Sequence, residues 1–253
     1  MISKNQIKRI QSLHRKKERD ELRLFLVEGV KTIRELLMLR PELVKEVFAT
    51  EDFINDNLAL LKKADIAFNA VIERELEQIS SMTTPNKVIA ICSYFNESKG
   101  GFDFKKNFTL YLDDIRDPGN LGTIIRLADW YGISEIYCSL TSCELYNPKV
   151  IQSTMGAFMR VKVTYISLAE LVTVNEIKSV YGAVLNGKDV YKEQLNNGLI
   201  IIGNEGSGIN KENLKLINRP ITIPSHEGSG TESLNAAMAT AIITSEFFRQ
   251  LQH

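Results

Sequence analysis

Short continuous apolar runs, each closed by turn-forming or polar residues, alternate along this chain with stretches whose apolar positions recur at helical spacing. Residues 31–40 have the helical period and stop at Pro41, which cannot continue a helix. An apolar run at 44–49, a helix near 53–63, a run at 66–72, a helix near 73–79 and a strand at 87–94 follow. Phe95-Asn96-Glu97-Ser98-Lys99-Gly100-Gly101 then breaks every period around it and reads as a linker. Beyond it, 108–112 is a continuous apolar strand, and 118–131 is a helix closed by Gly132. Strand-like runs recur at 135–138, 161–166, 182–185, 199–202 and 220–223, with helix-length segments between them. Strands without a polar face that alternate with helices predict a mainly parallel sheet covered on both sides. The last helix, 233–251, carries Leu234, Ala237, Met238, Ala241 and Ile242 on one face, with Ala236, Ala239, Ile243 and Phe247 elsewhere. Its start is apolar nearly all round, so burial on more than one side is expected.

The pattern divides the chain into a small α/β domain over 1–95, a linker over 96–107 and a second α/β domain over 108–253. A length of 253 residues with 44% hydrophobic residues supports this, being enough for ordinary cores in one large or two small domains. Lys plus Arg equals Asp plus Glu at 31 each, so net charge alone points to no polyanionic partner. The distribution changes that picture. Lys4, Lys8, Arg9, Arg15, Lys16, Lys17, Arg19 and Arg23 crowd the first segment, opposed there only by Glu18, Asp20 and Glu21. Such an edge can meet phosphates, or it can be the solvated face of an exposed helix, and charge pattern leaves both readings open.

Cys92, Cys138 and Cys143 form no CxxC pair, and the histidines are His14, His226 and His253. Neither a disulfide framework nor a metal site is expected from that set. A reducing, cytoplasmic setting without membrane attachment is expected, because the basic start leads into no apolar stretch of signal-peptide length. No run approaches the roughly 18 apolar residues of a membrane span either. The stretch 1–17 is basic and free of acidic residues, which leaves an organellar address open, and the acidic cluster after it weighs against one.

Three distant stretches are written in small and turn-forming residues with polar residues fixed among them. They are Asp117-Pro118-Gly119-Asn120-Leu121-Gly122-Thr123-Ile124-Ile125-Arg126, Gly203-Asn204-Glu205-Gly206-Ser207-Gly208, and Ile223-Pro224 through Ser233-Leu234-Asn235. In the first, Gly119, Gly122 and Arg126 stand at helical spacing and share a face, so a phosphate or ribose can approach both the helix N-terminus and a planar cation. Taken singly, Arg126 reads more readily as an ordinary surface arginine, with the glycines as loop residues. The second follows an apolar strand, where a glycine loop lining a ligand crevice belongs. It lacks the Lys-Ser/Thr ending of a P-loop and the glycine spacing of a dinucleotide fingerprint. Glu205 within it reads either as a site carboxylate or as an exposed loop residue. In the third, Ser233 can cap the final helix.

In this order and at these distances the three stretches resemble the signature motifs of the SpoU (TrmH) family of RNA ribose 2'-O-methyltransferases, in the SPOUT superfamily. More weakly, Phe25-Leu26-Val27-Glu28-Gly29 before Lys31 resembles the start of the substrate-binding domain that often precedes the catalytic one, a fold related to RNA-binding ribosomal proteins; alone, Glu28-Gly29 reads as a loop or a helix start. The resemblance implies a small N-terminal α/β RNA-binding domain followed by a trefoil-knotted, mainly parallel-sheet methyltransferase domain that works as a homodimer. It implies S-adenosylmethionine as methyl donor, with catalytic residues Asn120, Arg126, Glu205, Ser233 and Asn235. It further implies that Gly203, Ile223 and Leu234 surround the adenosyl group, with Leu185 near it. Ribosomal RNA is the expected substrate, transfer RNA the nearest alternative. Intact motif residues weigh against a non-catalytic RNA-binding or ribosome-assembly protein of the same fold.

A sulfonium donor already carries a good leaving group, so transfer to a ribose hydroxyl requires in-line positioning and removal of the hydroxyl proton. A guanidinium holds its proton firmly at neutral pH. Arg126 is therefore expected to clamp the substrate phosphate and stabilise the developing alkoxide, with the proton leaving to phosphate or water. One departure from the family pattern is the long connection Ser225-His226-Glu227-Gly228-Ser229-Gly230-Thr231-Glu232, where His226 reads as an added polar contact or as a solvent-facing residue.

Overall fold

The computed structural model describes residues 2–96 and 102–251; positions 97–101 of the expected linker lie outside the described residues. The chain first forms α1 (Lys4–Ser12), α2 (Lys16–Leu22), β1 (Leu24–Glu28), α3 (Val30–Leu39), β2 (Val44–Ala49), α4 (Glu51–Lys63), β3 (Ala67–Ala70), α5 (Glu73–Ile79) and β4 (Val88–Ser93). It continues with β5 (Phe108–Leu112), α6 (Pro118–Trp130), β6 (Glu135–Cys138), α7 (Pro148–Ser153), β7 (Lys162–Tyr165) and α8 (Leu168–Val174). β8 (Val180–Asp189), β9 (Gly198–Ile202), α9 (Lys211–Leu214), β10 (Arg219–Thr222) and α10 (Ala236–Leu251) complete it. The chain divides into two compact units, Met1–Lys99 with Leu145–Met159, and Gly100–Glu144 with Arg160–His253.

The first unit is built on a four-stranded sheet in the order β1-β4-β2-β3, antiparallel except for the β2–β3 pair. Ile10, Leu13, Leu26, Phe48, Leu76, Ile79, Ile89 and Ile91 form one of its apolar clusters. α1 starts at a capping box: the Ser3 hydroxyl accepts from the Gln6 amide at 3.2 Å, and the Gln6 side chain accepts from the Ser3 amide at 2.9 Å. Lys4, Lys8, Arg9, Arg15, Lys16, Lys17 and Arg23 are exposed. Arg19 is not part of that basic edge. It is 2% exposed, with Nη1 donating to the Leu13 carbonyl at 2.8 Å, a bond that offsets part of the cost of taking the guanidinium out of water.

Residues Leu145–Met159, which precede β7 in sequence, pack in this first unit. Tyr146 stacks on Tyr94 with ring centroids 3.6 Å apart, Phe25 lies 4.9 Å from Tyr146 and 6.0 Å from Phe158, and Val150 and Ile151 of α7 are buried. Nothing in their local pattern announces this, since an apolar turn of helix fits either unit equally well.

The second unit is built on a six-stranded, wholly parallel sheet in the order β10-β8-β9-β5-β6-β7. β5 and β9 are buried along their whole length, as continuous apolar strands between two helical layers must be. On one face Tyr111, Leu199 and Ile201 meet Leu168 and Leu171 of α8. On the other, Phe247 of α10 meets Phe108 and Tyr181 at centroid distances of 5.5 and 4.8 Å. From β5 the chain steps outward through β6 and β7, and then returns to place β8, β9 and β10 on the other side. The strand order therefore reverses between β5 and β9.

α10 is not covered all round. Ala236, Ala237, Thr240, Ile243, Thr244 and Phe247 form its buried stripe, while Met238 is 58% exposed. The helix presents one stripe of helical period to the sheet and to α6, on which it packs, while Ala239, Ala241, Ile242 and Phe248 are half-buried, Phe248 lying 5.2 Å from the Tyr131 ring. Gly132, at φ +70°, ends α6 in the left-handed conformation that glycine adopts without strain.

Candidate active site

All three polar stretches follow the carboxyl ends of strands on either side of the reversal in strand order: the first after β5, the second after β9, the third after β10. Open parallel sheets bind ligands at this kind of point, because loops leaving adjacent strands in opposite directions open a crevice there.

The loop after β5 is tightly held. Asp113 extends the ladder by donating its amide to the Ile202 carbonyl at 2.8 Å, and its buried carboxylate accepts from the Asn210 amide at 2.7 Å. Asp114 sits at φ +58°, a conformation that Asp tolerates better than most residues, and its amide donates to the Ser139 hydroxyl at 2.9 Å. Asp117 then caps α6, accepting from the Asn120 amide at 2.8 Å, with Pro118 in the first turn. Leu121, Gly122, Ile124, Ile125 and Ala128 are buried, and Arg126 is exposed. Gly122 thus lies on the packed side of α6, so the open face expected for Gly119, Gly122 and Arg126 narrows to the first and last. Arg126 makes no ion pair with any described residue, which leaves its guanidinium available.

The loop after β9 closes on itself through paired backbone bonds between Asn204 and Gly208, at 3.1 and 2.9 Å. Gly203 has no alternative here: a Cβ at this position would stand 2.4 Å from the Gly208 carbonyl carbon. The Asn204 side chain accepts from the amides of Gly206 and Ser207 at 2.9 and 3.1 Å. Its amide nitrogen donates to the Asp114 carbonyl at 3.0 Å. Asn204 therefore both shapes the glycine loop and ties it to the loop after β5. Sequence reasoning did not single it out, although an Asn inside a glycine-rich turn has the local bonding habit that makes this role legible.

In the third stretch α10 begins at Ala236, and its cap is Asn235 rather than Ser233. Asn235 Oδ1 accepts from the amides of Ala237 and Met238 at 3.0 and 3.3 Å. Ser233 instead donates its hydroxyl to the Glu205 carbonyl at 3.5 Å. Asn235 Nδ2 donates to Asn120 Oδ1 at 2.9 Å, and Asn120 Nδ2 donates to the Glu205 carboxylate. The structure thus brings Asn120, Glu205, Ser233 and Asn235 into one hydrogen-bonded chain across the three loops. Arg126, two helical turns along α6 from its start, is not bonded into it.

Of the residues expected around an adenosyl group, Gly203 lies at the end of β9 and Ile223 just past the end of β10. Leu185 lies in β8, its carbonyl accepting from the Thr222 hydroxyl at 3.2 Å, which places it beside the end of β10. Leu185 is 72% and Leu234 40% exposed, so both present apolar surface that the chain itself does not cover. The residues of 225–232 are exposed, and the His226 imidazole makes no hydrogen bond with a described residue. Burial pushes the Cys92 and Cys138 thiols well above their ordinary range, so neither serves as a nucleophile. Among the described residues no group of His, Cys, Asp and Glu could hold a metal ion, and no helix is long and apolar enough to cross a membrane.

A wholly parallel sheet whose polar loops converge at the reversal of strand order defines a ligand-binding α/β enzyme domain. Residues 107–245 match the model of the SpoU rRNA methylase family, and residues 4–90 match that of the MRM3-like substrate binding domain. The chain is 31% identical to the 23S rRNA (guanosine(2553)-2'-O)-methyltransferase RlmP of Bacillus subtilis, over 95% of each chain. Its fold superposes on a TrmH-family protein from Porphyromonas gingivalis with a TM-score of 0.83 at 34% identity, covering 98% of this chain and 99% of that one. An S-adenosylmethionine-bound rRNA methyltransferase from Sinorhizobium meliloti superposes with a TM-score of 0.87 at 25% identity, over 99% and 97% of the two chains. The chain belongs to the SpoU family of RNA ribose methyltransferases, which use S-adenosylmethionine.

Proposed function

We propose that this chain methylates a ribose 2'-hydroxyl in ribosomal RNA, with the N-terminal residues 1–95 gripping the RNA and the domain over 108–253 performing the transfer. The observation that carries this reading is the chain of side-chain bonds from Asn235 through Asn120 to Glu205, which joins all three family motifs at the carboxyl ends of β5, β9 and β10. The Bacillus subtilis relative, named for this reaction on 23S rRNA, supports the choice of RNA.

The residues present fit S-adenosylmethionine. Leu185 and Leu234 offer uncovered apolar surface for an adenine ring, and the ends of β9 and β10, at Gly203 and Ile223, offer backbone groups for its edge. When bound, the cofactor supplies a methyl carbon on a positively charged sulfur. Arg126, exposed and without an ion pair among the described residues, holds a substrate phosphate and stabilises negative charge on the attacking 2'-oxygen. Asn120 and Asn235 orient the Glu205 carboxylate at the edge of the same crevice. The hydroxyl proton leaves to phosphate or water.

The active form is a homodimer joined through the second unit. Met238 on α10 and Trp130 on α6, at 58% and 83% exposed, leave large apolar side chains uncovered on two helices that pack together, which supports that reading. The test is methyl transfer from labelled S-adenosylmethionine to ribosomal and transfer RNA from cells with and without the gene, followed by mapping of ribose methylation. A new 2'-O-methyl group in ribosomal RNA from the deleted strain is expected. A label found only in transfer RNA, or in neither, overturns the assignment.

A further inference from the structure

The outer edge of the parallel sheet carries a second polar feature. An open cleft of about 470 Å³ runs beside β10, lined by Lys178, Ser179, Lys188, Glu193, Asn218, Arg219 and Pro220. In a chain whose charges balance overall, this cleft gathers three cations against one carboxylate. That carboxylate, Glu193, is engaged by Lys188 at 3.3 Å, and neither Lys178 nor Arg219 makes an ion pair with a described residue. The uncompensated charge therefore sits on Lys178 and Arg219.

The stretches of chain that carry these two cations are tied together through Asn218. Asn218 accepts from the Val180 amide at 3.1 Å through its side chain, and its amide nitrogen donates to the Lys178 carbonyl at 2.7 Å. Its own amide donates to the Val180 carbonyl at 3.1 Å. Lys178 and Val180, at the start of β8, are thus joined to the residue before Arg219 by three bonds, and the Arg219 guanidinium lies over the Tyr181 ring at 5.8 Å. A cation resting on an aromatic face loses less freedom when it meets an anion.

We propose that this cleft binds the sugar-phosphate backbone of the RNA substrate, as a contact separate from the Arg126 site; the inference rests on the function proposed above. The lining has fixed positive charge and the Ser179 hydroxyl, and it has no free aromatic face, because Tyr181 is buried beneath Arg219. Single-stranded bases are held by aromatic stacking platforms, so a cleft of this composition takes phosphates rather than bases. The contact is indifferent to sequence and adds affinity and register. Lys178, Ser179, Asn218 and Arg219 precede or begin their strands, and Lys188 and Glu193 lie at and beyond the far end of β8, so the cleft runs along the β8–β10 edge toward the ends that the catalytic loops follow.

The test uses the full chain with the double substitution Lys178→Gln/Arg219→Gln, and with Arg219→Lys as the charge-keeping control. The probes are in vitro transcribed large-subunit ribosomal RNA and polyuridylate. The expected result is an apparent affinity for both RNAs about tenfold weaker. The slope of log affinity against log salt falls by about 1.4, the loss of two phosphate contacts at about 0.7 each on a single strand. The KM for ribosomal RNA rises with kcat unchanged, S-adenosylmethionine affinity stays at the wild-type value, and Arg219→Lys stays near wild type in salt slope. A double variant with wild-type affinity and salt slope, in a preparation whose wild type methylates RNA, overturns the cleft assignment alone. A wild type that neither binds nor methylates either RNA overturns the functional reading and the cleft together.

Discussion

Asn235 Nδ2 donates to Asn120 Oδ1 at 2.9 Å, and this one contact decides which way both amides point. Asn235 Oδ1 is committed to the first free amides of α10, those of Ala237 and Met238. Its nitrogen must therefore face Asn120, whose nitrogen in turn must face Glu205. Polarity set at a helix N-terminus is carried through two side chains to a carboxylate.

Replacing Asn235 by Asp keeps a good helix cap and removes the donor. The new carboxylate faces Asn120 Oδ1, so the Asn120 amide turns and sets its oxygen against Glu205. Thermal melting is expected to shift little, while single-turnover methyl transfer falls on the order of a hundredfold, the usual effect of losing one preorganised donor. Asn235→Ala also loses the cap and is expected to cost about 1 kcal/mol of stability. Wild-type turnover by the Asp variant would show that the amide chain is not needed.

Arg126→Ala is expected to abolish methyl transfer and leave S-adenosylmethionine binding nearly intact, because the exposed guanidinium is assigned to the substrate. Calorimetry with the cofactor and single-turnover rates on RNA separate the two effects. Turnover within a few-fold of wild type removes Arg126 from the mechanism.

Gly203→Ala places a methyl group against the Gly208 carbonyl carbon, 2.4 Å away, where only backbone can move. Opening the loop breaks the Asn204–Gly208 pairing, with an expected destabilisation of about 1–3 kcal/mol. Cofactor affinity falls with it. Urea unfolding and calorimetry measure the two, and an unchanged cofactor affinity shows that this loop does not line the cofactor site.

Cutting the chain before Phe108 does more than remove an RNA grip. Tyr146 stacks on Tyr94 in the first unit, and Val150, Ile151, Phe158 and Met159 are buried, so the cut strips the cover from four side chains that each gain about 1.5–3 kcal/mol from full burial. The truncated protein is expected to aggregate or to bind a hydrophobic dye. A second version, with 145–159 also replaced by a flexible glycine-serine linker, is expected to stay monodisperse and to bind S-adenosylmethionine. Dye binding and size-exclusion profiles compare the two; a well-behaved simple truncation contradicts the assignment of this segment.

Met238→Glu puts a carboxylate on the exposed flank of α10. On an isolated chain it is harmless. In a dimer that covers this flank it buries an unpaired charge at a cost of several kcal/mol. Sedimentation is expected to show loss of dimer, with activity falling in parallel. A wild-type chain that is a monodisperse, active monomer at micromolar concentration removes the dimer altogether.

Local chemistry made much of this legible. The runs at 108–112, 135–138 and 44–49 are short, apolar and bounded by turn residues, and each forms a strand with those limits. Pro41 and Gly132 mark helix ends because one cannot donate an amide and the other reaches positive φ. The candidate residues Asn120, Glu205, Ser233 and Asn235 were visible as a motif set, and the tertiary structure brings them into contact. Other features depend on contacts between residues distant in sequence. Arg19 is as basic in the sequence as Lys16, yet its guanidinium ends on the Leu13 carbonyl, inside the unit. Leu145–Met159 have an ordinary apolar period, and only the stack of Tyr146 on Tyr94 decides which core they enter. Asn204 acts through Asp114, ninety positions away in the chain, by a bond that no spacing rule contains. Period and turn chemistry act over a few residues and are written in sequence order; side-chain partners across strands β5, β9 and β10 are chosen only when the sheet has set its order.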